Sequence, residues 1–505
     1  MRPKVRRLSA DVHSAFQLGI LVDCQRTGEP QGQSVFRLLI RICLLTILLL
    51  GVAGCSLMAP QPQLIIPTPP AVAAAENPTP GLLVPNEAGQ LVTDPVSDVV
   101  PTVDPAIEAL IAEVSQQQLM AYIRQVEGFG TRNAFSDTQS ETFGIGAARR
   151  WIFNEFVRVG NGRLTVEFQD FPLIYNGFSA EQSNVVATLP GKGAGNGIVV
   201  LMAHYDNRPP NVTDGFSRAT GANDNGSGIS LLIETARLMS SRDWNQTVVF
   251  LATSAEEQGA FGARYFAENA FLDGKNVIAT LNYDSIGGRA GIPQHARLFA
   301  VDFLTSIHGA LGRYYEYVGG LYLPTFPVVI YDALDREGRW GDHREFVRVG
   351  YPAVRVIESI EDPDLVNSNR DTWDLIDYNY LQRMVQMNVA VAANLAGGPP
   401  QPEPPIIVPM AEPGSFMLTW PVTPDTAGYA ISFRPLDSLY YPTFRFVKAS
   451  HAGNVALTGL DPSVTYAVSI AALNERGLMS GFSVEQIVGP GTASTDAPDQ
   501  TAAQP

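Results

Sequence analysis

The stretch Ile198-Val199-Val200-Leu201-Met202-Ala203-His204-Tyr205-Asp206 decides the fold. Six consecutive apolar residues without polar alternation read as a strand buried on both faces, as in a parallel sheet covered by helices on either side. The run then stops on an imidazole and a carboxylate. Working outward, the same plan repeats. Residues 228–239 place Ile229, Leu232, Ile233, Ala236 and Met239 at helical spacing. Residues 247–253 (TVVFLAT) and 277–281 are further apolar strands, 260–269 is helical, 354–357 is a fourth strand and 380–396 a closing helix. Upstream, Ile107, Leu110, Ile111 and Val114 recur at three and four, a second amphipathic stretch covers 146–159, and short strands lie at 164–168 and 184–188. Alternation of this kind predicts an α/β three-layer sandwich with a mostly parallel central sheet over residues 106–397.

In an open α/β sheet, ligands bind beyond the carboxyl ends of the strands. Here those ends carry His204 and Asp206, then Asp224 in the loop before the next helix, then Glu256-Glu257, then Asp284. Singly, each has a structural explanation: Asp224 as a helix N-cap, the Glu pair as solvated, His204 as a core residue. Together they place one imidazole among several carboxylates, and burying carboxylates side by side is costly without a cation. Zinc accepts both donor types, and so many carboxylates suit two metals bridged by one of them. In His204-x-Asp206 the aspartate is expected to hold the second ring nitrogen of the histidine. Adjacent side chains diverge, so one member of Glu256-Glu257 can bind metal while the other faces substrate as a general base.

The four motifs HYD (204–206), GANDNGSG (221–228), SAEEQGAFGARYF (254–266) and NYDSIGG (282–288) occur in this order. In that order they resemble the co-catalytic zinc exopeptidases of peptidase family twenty-eight, which include bacterial leucyl aminopeptidases, glutamate carboxypeptidase and glutaminyl cyclase. The resemblance covers roughly residues 106–397. It implies the zinc exopeptidase fold and two Zn2+ ions, one held by His204 and Asp284, the other by Glu257, with Asp224 bridging and Glu256 as the base. It also implies hydrolysis of peptides, with an aminopeptidase as the leading expectation. The pattern departs from the family once. Where the last ligand is a His followed by Ser/Thr and, two residues on, Asp-Thr, this chain has Asn367-Ser368-Asn369-Arg370-Asp371-Thr372. An amide oxygen is a weaker zinc ligand than imidazole, which leaves Asn367, or His343 in its stead, as a weak substitute and puts the second site in doubt. Two alternatives therefore stay open: glutaminyl-cyclase-like acyl chemistry, and a catalytically impaired binding protein.

The chain has 505 residues and a formal charge of −16, which argues against a nucleic-acid partner because that needs a basic face. Its three cysteines (Cys24, Cys43, Cys55) all lie near the start, so the bulk of the chain has no disulfide scaffold and no thiol nucleophile. Arg37 and Arg41 precede an uncharged run, 42–54, too short to span a bilayer but suited to a signal peptide. It ends in Val52-Ala53-Gly54-Cys55, which resembles a bacterial lipobox and implies acylation of Cys55. Residues 1–54 are thus read as a signal region, with translation expected to start near Val35, and 55–105 as a Pro/Ala-rich tether. The expected product is an exported, extracytoplasmic lipoprotein held to the membrane at Cys55.

Residues 398–405 form a short linker, and 406–490 alternate apolar residues: Phe416, Leu418 and Trp420, then Tyr429, Ile431 and Phe433, then Tyr466, Val468 and Ile470. This predicts an all-β immunoglobulin-like sandwich. Trp420, and Leu460-Asp461-Pro462 leading to Tyr466 as a tyrosine corner, resemble fibronectin type III domains. Such a module serves as a spacer or as a binding unit for a protein or polysaccharide. Residues 491–505 are expected to be a disordered tail.

Overall fold

Strands that read as buried on both faces are so because helices cover both sides. In the computed structural model, which describes residues 100–452 and 454–490, an eight-stranded sheet forms the centre. The signal region, Cys55, most of the tether and the tail lie outside the described residues. The strands are β1 (Thr165–Tyr175), β2 (Phe178–Leu189), β3 (Ile198–His204), β4 (Thr247–Thr253), β5 (Val277–Tyr283), β6 (Ala296–Ala300), β7 (Val328–Asp332) and β8 (Ala353–Glu358), in the order β1-β2-β4-β3-β5-β8-β6-β7. The four central strands β4, β3, β5 and β8 run parallel, and β6 reverses against β8.

Side chains alternate faces along a strand, and the core divides accordingly. Val199, Leu201 and Ala203 belong to one cluster with helices α1 (Pro105–Ala112), α2 (Gln116–Gly128), α3 (Gly144–Gly160), α4 (Gly228–Met239), α6 (Ile307–Tyr322) and α8 (Tyr378–Gly397). Val200 and Met202 belong to a second cluster with α5 (Phe261–Leu272) and α7 (His343–Arg348). This is the expected three-layer α/β sandwich. Among the described residues no helix is long and apolar enough to cross a membrane.

Three features differ from the sequence expectation. The strands expected at 164–168 and 184–188 are the outer halves of one long hairpin, β1 to β2, paired through to Tyr175 opposite Phe178. Asn176 and Gly177 form its tip, both at positive φ, the chemistry of a two-residue hairpin turn. The single N-terminal helix is two, because Ser115 caps a new start by accepting from Gln118 N. The sequence pattern does not predict β6, the edge strand β7 or helix α6: both strands span five residues, Arg297 interrupts the apolar pattern of β6, and Asp332 ends β7.

The C-terminal part is a sandwich of two antiparallel sheets, in the orders β13-β10-β9 and β12-β11-β14-β15, from β9 (Ile406–Pro409), β10 (Phe416–Thr419), β11 (Gly428–Pro435), β12 (Arg445–Lys448), β13 (Val455–Leu457), β14 (Tyr466–Leu473) and β15 (Gln486–Val488). Trp420 packs edge-on to Tyr429 inside it, and the Tyr466 hydroxyl accepts from Asp461 N at 3.2 Å, as a tyrosine corner requires. It is not a loosely hung appendage. The outer face of its four-stranded sheet, through Ala430, Ala471 and Leu473 together with Phe444, Leu478, Met479 and Phe482, merges with the larger core. Small residues at alternate positions of β11 and β14 allow that second face to lie flat against the helices.

Charge seals the same contact. Glu485 accepts from Arg313 of α6 at 3.0 Å and from Arg434 of β11 at 2.6 and 2.8 Å, and both guanidinium groups are fully buried. Removing one partner of such a group leaves buried charge uncompensated, at about 3–5 kcal/mol. Glu485→Ala is expected to lose stability of about that size in urea unfolding, and Glu485→Gln, which keeps acceptor oxygen, clearly less. Equal stability of Glu485→Ala and the native chain would refute a structural role for this contact.

Candidate metal centre

The parallel direction of β4, β3, β5 and β8 brings their carboxyl ends to one edge of the sheet. β3 ends on His204, β4 leads into the turn with Glu256 and Glu257, and β5 is followed by Asp284. Asp224 comes from the turn Ala222–Ser227 that runs into α4 and is non-helical at Asp224 and Asn225. His204 Nε2 stands 3.4 Å from Asp224 Oδ1 and 3.5 Å from Asp284 Oδ1, and the three donor atoms lie within 4.8 Å of one another. Ligand atoms on a tetrahedral zinc at about 2.0–2.1 Å stand about 3.3 Å apart. The donor chemistry and the spacing therefore both fit a zinc ion. The surrounding carboxylates, Asp284 and Glu256 foremost, raise the basicity of His204 well above its usual range although burial opposes its charge.

Each donor is aimed by a neighbour. The nearest acceptor to His204 Nδ1 is the main-chain carbonyl of Asp206, at 3.1 Å. A proton on Nδ1 directed there leaves the Nε2 lone pair facing Asp224 and Asp284. The Asp206 carboxylate, expected from sequence to do this, stands farther off at 3.8 Å. It accepts instead from Glu256 N at 3.1 Å and Glu257 N at 3.2 Å, because the turn after β4 presents two amides with no other partner. Asp284 spends Oδ2 on Arg355 at 2.8 Å and keeps Oδ1 toward His204. Although burial works the other way, Arg355 holds Asp284 well below the usual carboxylate range, so it is a charged ligand.

The Asp224 turn is held by Asp371. Its carboxylate accepts from Asn223 N and Asp224 N, both at 2.9 Å. Asn225 adds a link to β5, donating to Tyr283 O at 2.8 Å and accepting from Gly228 N at 3.0 Å. Behind the site the buried Arg132 donates to the carbonyls of Tyr205, Thr220 and Gly221. Sequence reasoning missed the roles of Arg132, Arg355 and Asp371. Only Asp371 carried a signal, as the Asp-Thr retained after the altered ligand position.

The remaining expected residues fall in two groups. Glu256 lies beside the cluster, where burial and then the charges of Glu257 and Asp284 push its carboxyl well above the usual range, against the pull of His204. Glu257, pushed up to about 8 by burial and Asp224, is not in the three-donor cluster. It is bound by Arg208 Nε at 2.8 Å. Nor is Asn367 or His343 in that cluster. Asn367, in the amide orientation that suits both neighbours, donates to Glu257 Oε1 at 2.8 Å and accepts from Arg208 Nη2 at 3.0 Å. His343 turns Nε2 to the Leu334 carbonyl at 2.7 Å, and burial lowers its pKa to about 4. An open cleft adjoins Asp224, lined among others by Glu358, Glu361, Asp362, Leu365 and Leu375. Tyr331 and Trp340 do not line it: Tyr331 stacks on Phe299 and Trp340 on Arg344.

Residues 184–392 match the model of peptidase family M28. A probable zinc metalloprotease of Pyricularia oryzae is 33% identical over 352 residues, covering 61% of this chain and 70% of that protein. Another, of Leptosphaeria maculans, is 30% identical over 416 residues, covering 74% and 96%. Among solved structures, the LapA aminopeptidase of Legionella pneumophila superposes with a TM-score of 0.49 at 21% identity, over 59% of this chain and 76% of that one.

Second-layer contacts of this kind usually alter metal affinity 10–100-fold. Asp371→Ala frees two amides at the Asp224 turn, and zinc affinity measured by chelator competition is expected to fall by about that factor. Unchanged affinity would mean that the turn holds its shape without Asp371.

Proposed function

The chain belongs to peptidase family M28 and is a zinc metallopeptidase, and on that premise we propose that it is an aminopeptidase in which Glu256 is the general base. The observation that carries the reading is the spacing of His204, Asp224 and Asp284 at the strand ends, with Glu256 on the adjoining turn. These three residues would hold zinc. When bound, zinc supplies a Lewis acid that makes water acidic and polarises a carbonyl. The protein does the rest. Asp206 fixes the Glu256 main chain by its hydrogen bond, and so sets where that carboxyl stands. A buried carboxyl with raised basicity can take a proton from the attacking water and return it to the departing amine.

Charge favours the amino end of a peptide. The cleft beside Asp224 is lined by the carboxyl groups of Asp224, Glu358, Glu361, Asp362 and Asp371; Arg289 pairs with Asp362 at 2.6 Å, and Arg297 and Arg336 pair with Glu361, which leaves acidic groups in excess. A free α-ammonium group suits such a lining. A terminal carboxylate would need an unpaired cation, and Arg208 and Arg289 are both engaged. The apolar wall at Leu365 and Leu375 suits an aliphatic or aromatic first residue. The lipobox-like Val52–Cys55 stretch supports placing this activity outside the cytoplasm on an acylated Cys55.

General acid–base groups typically contribute 10²–10⁴-fold. Glu256→Gln is expected to lower turnover of aminoacyl-p-nitroanilides by about that factor while zinc content stays the same, and chelation should abolish turnover. Turnover unaffected by Glu256→Gln would reject this mechanism. Separately, Cys55→Ala is expected to move the chain from the membrane to the soluble fraction, and retention in the membrane would reject the lipid anchor.

A further inference from the structure

Glu257 and position 367 are where the family resemblance puts the second zinc, and both are occupied by other chemistry. Each oxygen of Glu257 faces a donor. Oε2 takes Arg208 Nε at 2.8 Å, and Oε1 takes the Asn367 amide at 2.8 Å. Asn367 also accepts from Arg208 Nη2 at 3.0 Å, so the three side chains close a ring. The positive φ of Asn367 (55°) is one that Asn tolerates better than most residues, which suits this placement. The Arg208 and Glu257 side chains are 24% and 8% exposed, so this is no solvated surface pair. A guanidinium is a permanent cation. It supplies positive charge beside Glu257, where a second metal would otherwise supply it, and it repels an incoming dication.

We infer that Arg208 stands in for the second metal, so that the centre holds a single zinc on His204, Asp224 and Asp284. The inference rests on the metallopeptidase reading of that cluster. The missing histidine is then one half of a paired change, an imidazole ligand exchanged for a hydrogen-bonding amide while a guanidinium supplies the charge. Glu257 becomes a partner of Arg208 and not a metal ligand.

The test is metal content. The purified chain, equilibrated with excess zinc and desalted, is expected to carry about one zinc per chain by mass spectrometry of the metal. Calorimetric titration of the chelator-stripped chain should show one binding step. Asn367→His combined with Arg208→Met restores an imidazole and removes the cation, and is expected to carry about two. Asn367→His alone should stay near one, because the guanidinium remains. Circular dichroism and melting temperature check that the variants are folded. Two zinc ions in the native chain would overturn the inference while leaving the peptidase reading intact. A folded double variant that stays at one would overturn the role given to Arg208. No zinc in the native chain would overturn the cluster itself, and the inference with it; His204→Asn, expected to lose the one zinc, locates the ion.

Discussion

The carboxyl ends of four parallel strands gather more buried acid than a protein can leave uncompensated, and the arrangement of this molecule follows from how each charge is met. Two carboxylates are met by backbone amides: Asp206 by the turn after β4, Asp371 by the turn before α4. Two are met by guanidinium groups: Asp284 by Arg355 and Glu257 by Arg208. What is left is one oxygen of Asp284 and one of Asp224, both facing Nε2 of His204. A cation fits where these two oxygens face His204 Nε2 with neither amide nor guanidinium supplied, whereas Glu256 and Asp342, also buried at this edge without either, have their carboxyl groups pushed up by burial instead. The groups that solve the charge problem elsewhere also fix the geometry here, since Asp206 orients both the histidine, by its carbonyl, and the glutamate turn, by its carboxylate.

Such a site needs a rigid frame, and the sandwich contributes to it. The larger core runs without a break into the four-stranded C-terminal sheet. Tyr314 of α6 donates its hydroxyl proton to the Met479 carbonyl, and Asn245, just before β4, donates to the Gly397 and Gly398 carbonyls at the end of α8. The strand that carries Glu256 and Glu257 is therefore tied at its start to the segment that leads into the sandwich. The module braces the catalytic part, a role that alternation of apolar residues along its strands does not reveal.

The central strands were legible in the sequence because burial on both faces leaves an uninterrupted apolar run, and His204 and Asp284 because they directly follow such runs, whereas Asp224 was marked by its place in the loop before the next helix. His204, Asp224 and Asp284 needed no tertiary information beyond the rule that parallel strands share one end. The peripheral strands β6 and β7 were not legible, since each spans only five residues, with Arg297 inside β6 and Asp332 at the end of β7. Nor were Arg132 and Arg355. A buried arginine is recognised by its acceptors, and these come from residues as distant as Thr220 from Arg132, 88 positions along the chain. The holder of His204 was read as the right residue but the wrong atom, because the i to i+2 step fixes the neighbourhood and leaves the choice between carbonyl and carboxylate to the donors around it.

Asn367 shows most plainly what sequence and structure each see. Along the chain it is a ligand lost, and the natural conclusion is a weakened site. In space it is one member of a ring with Glu257 and Arg208, and every polar contact in that ring is satisfied. On the one-zinc proposal, the exchange puts a single positive charge where a dication would sit, and changes the chemistry. Under the same proposal, activation of the nucleophile falls to the His204 side of the centre and to Glu256, because a guanidinium is a fixed cation without Lewis-acid chemistry. On that proposal the turn with Glu256, the Asp284–Arg355 pair and the Asp224 turn are held on the side that does the chemistry, whereas the Glu257 side is closed by protein donors. The change at position 367 leaves Glu257 partnered on both oxygens, by Arg208 and by the Asn367 amide.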